Sequence, residues 1–217
     1  MTETFLIPTA IEPTGLRYLA LGDSYTIGEG VPESGRWPVQ LARALRADGI
    51  PMAEPRIIAQ TGWTTEELDA AIDAVHPLAE YDLVSLLIGA NNQYRGLGVD
   101  EYRGQFSALL ERATGFAQGR RDRVLALSIP DWGVTPFAER ELRSTARVAE
   151  EIDACNRAAQ EACVQRGIAF VDITAVSRER GAEPAMLVED GLHPSAAMYA
   201  QWTQLALPWA RTLLVPR

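Results

Sequence analysis

A chain of 217 residues with 47% hydrophobic content has enough apolar side chain to close one α/β core without metals or disulfides. It is short for two full domains, so residues 1–217 are expected to form one. The formal charge of −9 opposes sequence-independent binding to phosphate backbones and anionic membranes, so nucleic acid is not an expected partner. All 20 basic residues are arginine, and the absence of lysine excludes Schiff-base catalysis and a P-loop lysine.

Met1 to Ala10 carries no basic region ahead of an apolar run, and no stretch approaches the roughly 20 apolar residues that cross a bilayer. A cytoplasmic protein without stable membrane association is expected. Short apolar runs then alternate with longer segments of helical period, the pattern of βαβ units on a parallel sheet. Five strands are predicted: Arg17–Leu21, Arg56–Gln60, Asp82–Ile88, Arg123–Ser128 and Ile168–Asp172. Thr64 with Glu67 three residues on reads as a capping box opening the helix after the second strand. Before the fourth strand, Tyr102, Phe106, Leu109, Leu110, Ala113 and Phe116 form one apolar stripe; before the fifth, Leu142, Ala149, Ile152, Cys155, Ala159 and Ala162 form another. Cys155 and Cys163 sit eight apart on that second helix, roughly 12 Å along its axis, too far to pair with each other, and read as buried small side chains. The last helix is expected to start near Pro194 and to turn Trp202, Leu205, Ala206, Trp209 and Leu213 inward.

Loops after the strands collect at the carboxyl edge of such a sheet, where ligands bind. They are Asp23–Val31, Gly62–Thr64, Gly89–Gly98, Pro130–Phe137 and Thr174–His193. In the first, Gly22-Asp23-Ser24 presents a serine immediately past a strand, either as a turn or N-cap residue or as an exposed nucleophile. A serine nucleophile needs a base, and only His76 and His193 are available. His76 ends the second predicted helix and falls at the amino edge of the sheet, whereas His193 follows the last strand and returns to the carboxyl edge. Asp190, three residues before His193, is placed to accept from one ring nitrogen and leave the other for the serine; the alternative is a turn acid ahead of the Pro194 helix. Gly62 and Asn91, with the Ser24 amide, can donate to a developing oxyanion, although each is also an ordinary loop residue. Four separate loops thus supply complementary parts.

Gly22-Asp23-Ser24, Gly62, Gly89-Ala90-Asn91 and Asp190-x-x-His193 occur in the order of the SGNH blocks, over almost the whole chain. The sequence resembles the SGNH/GDSL hydrolase family. That resemblance implies a flavodoxin-like three-layer α/β/α sandwich with a five-stranded parallel sheet, Ser24 as nucleophile, Gly62 and Asn91 as oxyanion donors, His193 as base, and no metal or organic cofactor. Tyr25 stands where the motif usually has Leu, and Asn92 where the third block often has Asp. The run Asn91 to Gly96 is similar to that of bacterial members. Tyr25, Trp63, Asn92, Arg95 and Trp132 are the candidate substrate-pocket residues, with Trp37 and Phe137 beside them; ordinary packing, a loop-holding role for Asn92 and a solvated Arg95 are the alternatives. The expected function is hydrolysis of a small or short-chain carboxylic ester through an acyl-enzyme on Ser24. A thioesterase or lysophospholipase of the same fold, or a non-catalytic ligand-binding module, is the rival.

Overall fold

The computed structural model describes residues 15–75 and 80–215. His76 lies outside the described residues. In chain order the elements are β1 (Tyr18–Gly22), α1 (Ser24–Ile27), α2 (Trp37–Ala47), β2 (Arg56–Ala59), α3 (Thr65–Ala74), β3 (Leu83–Leu87), α4 (Ala90–Tyr94), α5 (Val99–Phe116), β4 (Val124–Leu127), α6 (Pro136–Arg140), α7 (Thr145–Arg166), β5 (Ala169–Val171), α8 (Thr174–Arg180) and α9 (Ala196–Leu214). The five strands are all parallel in the order β2-β1-β3-β4-β5, with helices on both sides. β1, β3 and β4 are buried at every position, which is why they read as unbroken apolar runs rather than alternating ones. β2 and β5 are the edges and bury less.

Helices α2 and α9 pack against each other, and α5 packs against both α3 and α7. The stripe on α5 is buried as expected from Tyr102 to Ala113, with Phe116 half-buried. Thr64 caps α3 with both halves of its box: its hydroxyl accepts from the Glu67 amide, and Glu67 accepts from the Thr64 amide at 2.8 Å. Cys155 and Cys163 are free and buried, and burial pushes their thiols up to about 11 and about 12, leaving them as packing residues.

Three local expectations are corrected. Leu142 is 92% exposed and left-handed, two residues ahead of the Ser144 cap, so the inward face of α7 begins at Val148. Pro194 precedes the α9 cap, Ser195, and the helix starts at Ala196. On α9 Trp202 and Ala206 are buried, but Leu205 and Trp209 are exposed, and Tyr199, Ala210 and Leu214 take the inward positions. Apolar residues surround nearly the whole circumference of this helix, so period alone does not choose which side faces the sheet.

Candidate active site

The chain leaves β1 through Gly22, whose neighbours on the adjacent strands are Ala59 and Leu87. A side chain there would overlap Thr26 Oγ1 and the Leu87 carbonyl, so the exit is tight against the sheet. Asp23 follows, fully buried, and caps the one-turn helix α1 by accepting the Tyr25 amide on Oδ1 at 3.0 Å. Its other oxygen has no hydrogen-bond partner among the described residues. Burial outweighs the hydrogen bonds from the Tyr25 amide and its own amide, and pushes the carboxyl up to about 7. Ser24 is therefore the first helical residue, with an amide that has no intrahelical acceptor, and α1 closes when left-handed Gly28 donates to the Ser24 carbonyl.

The second and third strands bring up the neighbouring loops. Gly62 adopts φ +88°, a backbone few other residues take, while its only near contact for an added side chain is Arg95 Nη2 at 3.9 Å. Backbone conformation, not crowding, thus calls for glycine. Asn91 is the second residue of α4, after the Gly89 cap at φ +129°. Its Nδ2 donates to the Trp63 carbonyl at 2.9 Å, which orients the carboxamide and leaves its second N–H for the cavity.

The last loop carries a carboxylate–imidazole pair. Asp190 Oδ1 accepts from the amides of Leu192 at 2.8 Å and His193 at 2.9 Å, and its Oδ2 sits 2.6 Å from His193 Nδ1. Partial burial works against the charge on Asp190, but the hydrogen bonds from the His193 ring and from both amides prevail and hold its pKa below the usual carboxylate value. Left-handed Gly191 makes the turn between the partners, and its carbonyl accepts from the Phe137 amide at 3.0 Å. Arg140 donates to the Asp190 carbonyl from the other side. The Tyr25 ring lies 5.6 Å from the imidazole.

Ser24, Gly62, Asn91 and His193 all line one cavity of about 180 Å³. Its apolar wall is Tyr25, Tyr94, Trp132, Phe137 and Leu192. Trp132 is held by donating its ring N–H to Gln93 Oε1 at 2.7 Å, and Tyr94 meets it edge-on, 5.5 Å between centroids.

Other candidates lie elsewhere. Asn92 is fully buried behind the cavity, where Oδ1 accepts the Thr65 amide at 3.0 Å and Nδ2 donates to Thr65 Oγ1 at 2.7 Å, so it ties α4 to the start of α3 instead of meeting substrate. Trp63 contributes its carbonyl to Asn91, with its ring packed against the core and off the cavity wall. Arg95 spans to Gly62 O at 2.6 Å and pairs with Glu67, facing an adjacent groove. Trp37 is in the core under α2. Tyr94 was not among the sequence candidates, although its place three residues after Asn91 on one helix puts both on the same face. Among the described residues no group of three His, Cys, Asp or Glu is placed to hold a metal ion.

The sequence model of the GDSL-like Lipase/Acylhydrolase family matches residues 20–201. The chain belongs to that family. The fold of this GDSL-like hydrolase is shared with solved structures of low sequence identity. TesA superposes with a TM-score of 0.72 at 20% identity, over 91% of this chain and 99% of that one. The lipase/acylhydrolase from Enterococcus faecalis gives 0.73 at 20% identity, over 93% and 98%. A variant of Axe2, an acetyl xylan esterase from Geobacillus stearothermophilus, gives 0.68 at 20% identity, over 94% and 99%. None of the curated protein sequences compared matches the chain. Among the described residues of this GDSL-like hydrolase, no helix is long and apolar enough to cross a membrane.

Proposed function

We propose that the chain is a serine esterase acting on short-chain carboxylic esters through an acyl-enzyme on Ser24. The observation that carries this is the 2.6 Å contact of His193 Nδ1 with Asp190 Oδ2, which leaves Nε2 as the ring nitrogen available to the cavity that Ser24 also lines. His193 takes the proton of Ser24 Oγ as that oxygen bonds to the ester carbonyl carbon. The Ser24 amide, the Gly62 amide and Asn91 Nδ2 receive the negative charge that moves to the carbonyl oxygen. The carbon–oxygen bond to the alcohol then breaks, and the imidazolium protonates the departing oxygen. Water, deprotonated by the same nitrogen, attacks the acyl-enzyme; the proton returns to Ser24 as the acid leaves.

Cavity size supports short acyl groups. A cavity of about 180 Å³ walled by aromatic rings has room for a short acyl chain rather than a long one. A fluorophosphonate should label Ser24 alone, as read by peptide mass spectrometry, and kcat/KM for 4-nitrophenyl esters should peak between acetyl and hexanoyl and fall steeply by dodecanoyl. Labelling of another serine with Ser24 untouched would overturn the nucleophile, and preference for palmitoyl over acetyl would overturn the chain length.

A further inference from the structure

Tyr94 lines the catalytic cavity and also a second depression of about 440 Å³. In a chain of net charge −9, that groove is lined by three cations, Arg95, Arg143 and Arg147, against one acid, Glu151. The N-cap of the 22-residue helix α7, Ser144, is in the same wall, so the helix adds its positive end.

The three arginines are not equally engaged. Arg95 is committed to the Gly62 carbonyl at 2.6 Å and to Glu67, and Arg147 to Glu151 at 2.8 Å. Among the described residues the Arg143 side chain has only distant polar partners: the Tyr94 carbonyl at 3.5 Å and Glu151 at 3.9 Å, an acid that also accepts from Arg147 and Gln93. Its guanidinium rests 5.6 Å from the centroids of both Tyr94 and Trp132, the two rings that wall the cavity on its other side. Stacking fixes the cation while leaving most of its donors unspent. Glu141, on the Tyr94 hydroxyl at 3.1 Å, is the remaining acid nearby.

We infer that this groove receives a carboxylate at the far end of the acyl chain, so that the preferred substrates are monoesters of short dicarboxylic acids. Hydrocarbon belongs against Tyr94, Trp132 and Phe137; an anion just past those rings meets Arg143 in bidentate geometry, with the α7 N-terminus behind it. This rests on the esterase reading, since it places the acyl carbon at Ser24.

The test compares 4-nitrophenyl hydrogen adipate with 4-nitrophenyl hexanoate, two chains of equal length differing in a terminal carboxylate. The wild-type protein should favour the adipate in kcat/KM by about tenfold or more, as expected for a charge-assisted hydrogen bond, and the preference should shrink as salt rises toward about 0.5 M. Arg143→Gln should cut the ratio by about the same factor, through KM more than kcat, and Arg143→Lys should restore part of it. Wild-type preference for the hexanoate, or equal loss on both esters in Arg143→Gln, overturns the groove assignment while the Ser24 reading stands. Failure to turn over either ester overturns both.

Discussion

Replacing Asp190 by asparagine asks whether the imidazole is held in one tautomer. The two backbone donors, Leu192 N–H at 2.8 Å and His193 N–H at 2.9 Å, fix the new amide with its oxygen toward them. Its NH2 group then faces His193 Nδ1 where a carboxylate oxygen stood at 2.6 Å. Nδ1 must become an acceptor, which puts the ring proton on Nε2 and removes the base from the side facing the cavity. A complete inversion of this kind costs about 10⁴-fold in kcat. Because the Asp190 side chain is 43% exposed, water competes for Nδ1 and relieves part of the penalty, so a loss of about 10³-fold is expected. The fold should not notice: both backbone bonds survive, and Tm should stay within about 2 °C of wild type. Asp190→Ala is the contrast, since it discards both loop bonds, worth about 1 kcal/mol each, and should lower Tm by about 4–8 °C. Stopped-flow or steady-state hydrolysis of 4-nitrophenyl acetate, with calorimetric scans alongside, supplies both numbers. Asparagine activity within about tenfold of wild type, or a melting loss equal to that of alanine, would refute the reasoning.

Asn91→Ala removes a donor whose partner gains charge only as the reaction proceeds, so kcat should fall by about 10²–10³-fold with little change in KM; an unchanged kcat would reduce Asn91 to a helix-start residue. Asp23 has a folded-state pKa raised to about 7 from 3.8, so its contribution to stability is fully present below about pH 4 and is lost as pH rises through about 7. Asp23→Asn keeps the Tyr25 cap and should flatten the dependence of the urea midpoint on pH over that window; an unaltered slope would show that another group sets it. Gly89→Ala forces a left-handed backbone at φ +129° and drives a methyl to 2.5 Å from the Tyr102 ring, so it should cost about 2 kcal/mol or more in urea unfolding, and near-wild-type stability would show that the turn can be rebuilt.

The fold was legible where one physical demand ruled the sequence. The buried central strands could only be apolar, the Thr64 and Glu67 pair could only open a helix, and the short loops after β1, β2 and β3 had to meet at one edge. Asp190 and His193 were readable because three residues of turn suffice to bring carboxylate and ring together. Other features depended on surroundings that the chain reveals only when folded. Leu142 continued a helical period on paper, but a left-handed residue and the Ser144 cap restart the helix behind it. Asn92 looked as polar as Asn91, yet the turn of α4 sends one carboxamide to the Trp63 carbonyl and the other into the core to bind Thr65. Arg143 gave no local signal, because the two rings beside it, Tyr94 of α4 and Trp132, are brought to it only when the chain folds.

Because β1 lies between β2 and β3, the residues that follow these three strands are spaced by the sheet itself, about 4.8 Å from one strand to the next. Ser24 stands in the middle, with Gly62 to one side and Asn91 to the other. The sheet therefore sets the spacing of these three residues, while Trp132 and Phe137 of the cavity wall and Arg143 and Arg147 of the groove stand on the connection after β4 and take no part in it. On the proposed esterase reading, exchanges in that connection should change which acyl group is admitted without shifting Ser24.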